Sequence, residues 1–181
     1  MAHLSVRRII VTSTERVSIR PAIHEDVEIL TEFSATMAWE TERRALDRTR
    51  LRLGILSVIQ QPERGIYFVA SLRQESQADT VTVGQLLITY EWSDWRNAQF
   101  WWIQSVFVHP SWRRKGVYRQ MHRAILDLAH TRADVCGIRL YVEGSNRVAK
   151  QVYERVGLVP SPYEVYETDF VLPHLGHPKN I

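Results

Sequence analysis

The stretch that most constrains this fold runs from Phe100 to Val142. Phe100–Val108 is rich in β-formers and ends against Pro110. A basic turn follows, Ser111-Trp-Arg-Arg-Lys-Gly-Val-Tyr118. Tyr118–Thr131 then carries Tyr118, Met121, Ile125, Leu128 and Ala129 at helical spacing, and Ile138–Val142 is again short and apolar. The pattern predicts strand, helix, strand. A helix between two strands lets the second strand run parallel to the first. Upstream, Ile66–Leu72, Val81–Trp92 and Phe100–Val108 are three successive strand candidates separated by polar turns, which predicts an antiparallel meander. A chain holding both patterns is expected to form an α/β (α+β) fold with a mixed, mostly antiparallel central sheet and helices on both faces.

The other elements fit around that sheet. Val17–Arg20 is a short strand stopped by Pro21, and His24–Met37 has helical spacing at Val27, Leu30, Phe33, Ser34 and Met37. The polar stretch from Thr36 to Asp47 is expected to be a loop or broken helix. A second helix spans Leu51–Ile59 and ends before Pro62. Asn146–Val156 predicts another helix, stopped by Gly157, and Tyr163–Val171 a final strand. The expected organisation is an N-terminal arm or extra strand at 1–16, one domain at 17–172 and a loose tail at 173–181.

Composition narrows the class. With 45% hydrophobic and 24% charged residues over 181 positions, the chain can bury a core and is not a disordered segment. Cys136 is the one cysteine, so no internal disulfide can form. No apolar run approaches the length of a membrane span. Met1–Thr14 lacks the long apolar region of a secretory signal, which leaves a cytoplasmic protein as the expectation. His174 and His177 have no carboxylate nearby, so no metal site is expected.

The basic turn is where chemistry first becomes visible. A helix N-terminus offers unpaired N–H groups and the positive end of the helix dipole. Gly116, just before the helix, lets an anion approach the main chain without a side chain in the way. Arg113, Arg114 and Lys115 add countercharge, and Val117 and Tyr118 open the helix. This is a design for a pyrophosphate.

Arg113-x-x-Gly116-x-Tyr118 resembles the acyl-CoA signature of the GNAT superfamily of acetyl-CoA-dependent N-acetyltransferases, with Tyr118 where that signature has a small residue. Val106-x-Val108-x-Pro110 before it, and Leu140-Tyr-Val-Glu143 with Asn146-x-x-Ala149-x-x-x-Tyr153-x-x-x-Gly157 after it, extend the likeness over the last third of the chain. The resemblance implies a sheet of about six to seven strands with a V-shaped split between two parallel strands. It implies acetyl-CoA as co-substrate, no metal, and a small-molecule or peptide amine as acceptor; a homodimer is compatible with it. Main-chain groups of Val106, Phe107 and Val108 would contact acetyl and pantetheine, Asn146 the pantetheine amides, and Arg113 to Tyr118 the phosphates.

Acetyl transfer to an amine needs a base for nitrogen, polarisation of the thioester carbonyl and a proton for the leaving thiolate. Tyr153, seven residues after Asn146, is the candidate acid. Glu91 and Glu42 are candidate bases, with Glu40 a weaker third and a water relay an alternative. Trp39, Trp92 and Trp102, with Glu40 and Glu42, are candidate acceptor contacts, because aromatic walls beside carboxylates suit a cationic amine. Trp101 and Trp102 are adjacent on a strand and must face opposite sides. Two rival readings share these residues. One is a CoA-binding sensor that does no chemistry, favoured by Tyr118. The other is a nucleic-acid binder, against which the basic residues cluster at one helix start rather than along a stripe.

Overall fold

The computed structural model describes residues 9–10, 17–73 and 80–172. Residues 1–146 and 147–181 form two compact units. The first holds β1 (Ile9–Ile10), β2 (Val17–Pro21), α1 (Val27–Glu42), α2 (Arg48–Gln60), β3 (Ile66–Arg73), β4 (Thr80–Ser93), β5 (Ala98–Val108), α3 (Val117–His130) and β6 (Val135–Leu140). The second holds α4 (Arg147–Arg155). Among the described residues no helix is long and apolar enough to cross a membrane. The arm expected at 1–16 is described only at Ile9–Ile10, and the tail at 173–181 lies outside the described residues.

The strands lie side by side in chain order, antiparallel from β1 to β5, with β5 and β6 parallel. Five strands are full-length, and the two-residue β1 pairs with Ser18 and Ile19 at the edge. The sheet is thus a mixed one of five full strands with a two-residue edge pairing, short of the six to seven full strands expected. Period-2 alternation sorts its two faces. Phe68, Ala70, Leu72, Leu86, Ile88, Trp101 and Ile103 join Val117, Met121, Ala124 and Ile125 of α3 in one core. Tyr67 and Val69 join Val27 and Leu30 of α1 and Ile55 of α2 in another. Burial of each such large apolar side chain stabilises by roughly 1.5–3 kcal/mol.

Helix ends follow local chemistry. Asp47 caps α2, accepting from the N–H groups of Thr49 at 2.9 Å and Arg50 at 3.1 Å. Arg20 grips Asp26 with two bonds of 2.6 and 2.9 Å, and the Ile23 N–H donates to the same carboxylate, fastening the start of α1 to β2. α1 does not break at Thr36: it runs on to Glu42 and stops where Arg43 turns left-handed at φ 54°. Polar residues on the solvent side do not stop a helix; a backbone reversal does.

The strand expected at Tyr163–Val171 is not formed. Ser161 Oγ accepts from the Tyr163 N–H, and Asp169 Oδ1 from the N–H groups of Val171 and Leu172. Side-chain turns take up donors that a strand would give to a ladder.

Gly65 marks where β3 enters the sheet. A Cβ there would lie 2.3 Å from the Ile88 carbonyl oxygen. Backbone cannot step aside cheaply, so Gly65→Ala is expected to cost about 1–3 kcal/mol, read as a lower denaturation midpoint. An unchanged midpoint would contradict this close approach.

Candidate functional site

Pairing between β5 and β6 stops short of the end of β5. Parallel pairing runs from Gln99↔Val135 to Ile103↔Leu140 and ends there, while β5 continues to Val108 along β4 alone. Just past the last pair, Ser105 opposes Leu87 and Ile103 opposes Ile88, which leaves Gln104 as an extra, bulged residue. Its amide donates to Thr89 Oγ1 at 2.9 Å.

The bulge and the lost partner decide which main-chain groups are available. The His109 N–H donates toward β4, to the Val83 carbonyl at 2.9 Å. By alternation Phe107 also turns its peptide groups to β4, and Val106 and Val108 turn theirs to the side β6 has left. Of the three expected main-chain contacts, Val106 and Val108 thus face the split. Phe107 does not; its buried ring packs on Phe33, centroids 5.0 Å apart.

The turn after β5 is wound by two non-helical residues, Arg114 at φ 63° and Gly116 at φ 79°. Gly116 is the N-cap of α3 and brings no side-chain cap, so the first N–H groups of the helix lack the usual intrahelical partners. A Cβ on Gly116 would meet only Arg119 Nη2, at 3.8 Å: the space over the helix start is open. The three cations differ. Arg113 is engaged, with Nη2 on Glu40 Oε2 at 2.5 Å, Nε on the Val108 carbonyl at 2.9 Å and its guanidinium 5.4 Å from the Phe107 ring centre. Lys115 lies over Trp112 at 4.3 Å. Arg114 is exposed and has no ion pair among the described residues. Val117 is buried in the core, and Tyr118 is half-buried with its ring 6.0 Å from that of His122. Burial pushes the His122 imidazole below its ordinary pKa, which favours the neutral form.

The acceptor candidates separate. Trp39 and Trp92 are 54% and 63% exposed. Trp92 follows Ile88 and Tyr90 on the α3 face of β4, whereas Trp102, opposite Thr89, faces the α1–α2 side. The sheet stands between them, so Trp92 and Trp102 cannot line one pocket. Trp101 is buried under α3. Glu40 is held by Arg113, and Glu42 sits exposed at the end of α1 with Arg44 Nε 3.7 Å away.

Glu91 belongs to a cluster that the residue pattern alone did not announce. Glu91 opposes Phe100 on β5, and Phe100 opposes Gly137 on β6. The Arg139 guanidinium lies 3.7 Å over the Phe100 ring, 5.9 Å from that of Trp102, and donates to Glu91 Oε1 at 2.5 Å. Trp102 in turn packs on Tyr141, centroids 4.5 Å apart. Gly137 makes room for this: a Cβ there would come within 2.7 Å of the Phe100 ring. Period 2 along β6, which puts Gly137 and Arg139 on one face, was the available signal.

The Asn146 N–H donates to the Glu143 carbonyl at 3.0 Å, just before α4 begins. In the second unit, Tyr153 sits in the last turn of α4, its carbonyl accepting from Val156 and Leu158. Burial pushes its phenol above the ordinary tyrosine pKa, so it stays protonated at neutral pH. Among the described residues, no three His, Cys, Asp or Glu side chains gather as a metal-ligand set.

Comparison with known proteins gives a consistent frame. The Acetyltransferase (GNAT) family model matches residues 27–158. No curated protein matches the chain. The crystal structure of a possible acetyltransferase from Clostridium difficile 630 is 34% identical, covering 86% of this chain and 99% of its own, with a TM-score of 0.77. The aminoglycoside N-acetyltransferase AAC(6')-Iy in complex with CoA is 14% identical over 89% of this chain and 99% of its own, TM-score 0.68. A ribosomal-protein-alanine N-acetyltransferase from Brucella melitensis biovar Abortus 2308 is 15% identical over 86% and 99%, TM-score 0.66. The last two share the fold, and their identity is too low to carry an acceptor across.

Proposed function

This chain belongs to the GNAT acetyltransferase family, and from that premise we propose that it moves an acetyl group from acetyl-CoA to the nitrogen of a primary amine on a small molecule or peptide. The observation that carries the reading is the junction of the β5–β6 split with the open helix start at Gly116. One end suits the acyl arm and the other the pyrophosphate, joined by Gln104 to Val108 of β5, which have no strand partner on the β6 side among the described residues. Acetyl-CoA supplies the acyl carbon as a thioester, whose C–S bond breaks as the C–N bond forms.

The residues divide the work. The α3 N-terminus and Gly116 bind phosphate through main-chain N–H groups, with Arg114 and Lys115 as mobile countercharge. Val106 and Val108 present N–H groups to the thioester oxygen and the pantetheine amides. Arg113, bound to Glu40 and the Val108 carbonyl, ties the phosphate turn to the end of α1 and to β5. Glu91 takes the proton shed by the amine, directly or through water, and Tyr153 donates the phenolic proton to the departing thiolate. Asn146 holds the pantetheine amides.

A panel of amines incubated with acetyl-CoA and protein, read as free thiol release, tests the reading. Acceptor-dependent thiol release, with mass spectrometry showing one added acetyl on the acceptor nitrogen, is the expected result. Tight acetyl-CoA binding with no release above background for any amine would favour a sensor instead. Loss of binding that tracks rising salt, with nucleic acid as the better ligand, would favour a nucleic-acid binder.

A further inference from the structure

The cluster on the α1–α2 face of the sheet says more about the acceptor than the tryptophans do. Arg139 is held over Phe100 with its guanidinium carbon 3.7 Å from the ring centre, and Nη1 is committed to Glu91. Arg96 approaches the same ring at 5.0 Å. Only Arg139 pairs with Glu91, and Arg96 has no ion pair among the described residues. Among the described residues no second acceptor bonds Arg139, and its side chain keeps 33% of its surface, that of Glu91 41%. A guanidinium carries five N–H donors in a fork that matches a carboxylate. Fixed on an aromatic ring, it loses little further freedom on binding one.

Placement adds to this. Arg139 opposes Trp102 one residue before the β5–β6 ladder ends at Ile103↔Leu140. The cluster thus lies beside the closed end of the split, where pairing stops, on the face away from α3.

Resting on the acetyl-transfer reading, we propose that Arg139 is a specificity-determining residue and that the acceptor is a small amine carrying a carboxylate close to its nitrogen, as an α- or β-amino acid does. The carboxylate meets the free donors of Arg139, and the amine meets Glu91. The geometry sets the spacing: Glu91 and Arg139 are themselves in contact, so a ligand that engages both must hold its own opposite charges one or two carbons apart. A polyamine or aminoglycoside brings only positive charge beside the guanidiniums of Arg139 and Arg96, and is a poor acceptor.

The test uses product analogues, so that it reads binding without requiring turnover. N-acetylglycine, N-acetyl-β-alanine and their uncharged amides are titrated calorimetrically into the CoA-saturated full chain. The expected result is that the acids bind about 10-fold more tightly than the amides, and that Arg139→Gln abolishes the difference while CoA affinity stays at the wild-type value. Arg139→Lys, which keeps charge without the fork, should restore part of it. A cluster that serves only to hold the strands together would lower the melting temperature in Arg139→Gln and leave the acid-to-amide ratio untouched; that overturns the proposal. So does equal binding of acids and amides, or of neither, by wild type. Failure of CoA itself to bind would instead sink the acetyl-transfer reading, which separates the two.

Discussion

Gly116→Val is expected to weaken acetyl-CoA binding about 10- to 150-fold. The range follows from losing one hydrogen bond between a main-chain N–H and a charged phosphate, roughly 1.5–3 kcal/mol, at 1.4 kcal/mol per tenfold. Two effects are mixed in this variant. Valine strains a backbone held at φ 79°, and its branched side chain projects into the space over the α3 start, where the nearest neighbour to a Cβ is Arg119 Nη2 at 3.8 Å. Gly116→Asn separates them, since asparagine tolerates the left-handed region yet still fills that space. Asparagine should keep the melting temperature and still lose affinity, whereas valine should lose both. Calorimetry with CoA on the two variants reads this directly. Unchanged affinity in Gly116→Asn would place the phosphates elsewhere.

What the sequence disclosed depends on how local the cause is. The turn from Pro110 to Tyr118 was legible because strand end, cations, glycine and helix follow one another within a few residues, and the structure builds them as a helix start with no side-chain cap. The different fates of its three cations were not legible: Arg113 is taken up by Glu40, 73 positions away in sequence. The cluster of Glu91, Phe100 and Arg139 needs the register of three strands at once, and an error of one residue in any of them would have turned a member to the other face.

Element ends failed for the same reason. β6 was expected at Ile138–Val142 from its apolar run and forms at Val135–Leu140. Pairing recruits it earlier, where the Gln99 N–H reaches the Asp134 carbonyl at 2.9 Å, and releases it at the split, before Tyr141 and Val142. A strand is defined by its neighbour, which a run of side chains does not specify. Tyr163–Val171 shows the converse: a plausible strand composition without ladder partners remained a string of side-chain turns.

Tyr153→Phe is expected to lower turnover about 10- to 1,000-fold with the acetyl-CoA dissociation constant unchanged. The lower figure allows for water supplying the thiolate proton, and the upper lies within the roughly 10²–10⁴ typical of a positioned acid. The ring is kept, so apolar packing is preserved and the melting temperature should move little. The pH profile carries the decisive sign. An acid works only while protonated, and burial raises the Tyr153 pKa above the ordinary tyrosine value. Wild-type turnover should therefore hold through neutral and mildly alkaline pH and fall only above that ordinary value. In the phenylalanine variant that alkaline limb should vanish, because the titrating group is gone, leaving a low rate across the same range. A phenol serving only to stabilise α4 gives the opposite pattern: wild-type turnover, an intact alkaline limb and a lower melting temperature from the lost hydroxyl. Measured with an acceptor from the thiol-release panel, that pattern would remove Tyr153 from the chemistry and leave protonation of the thiolate to water.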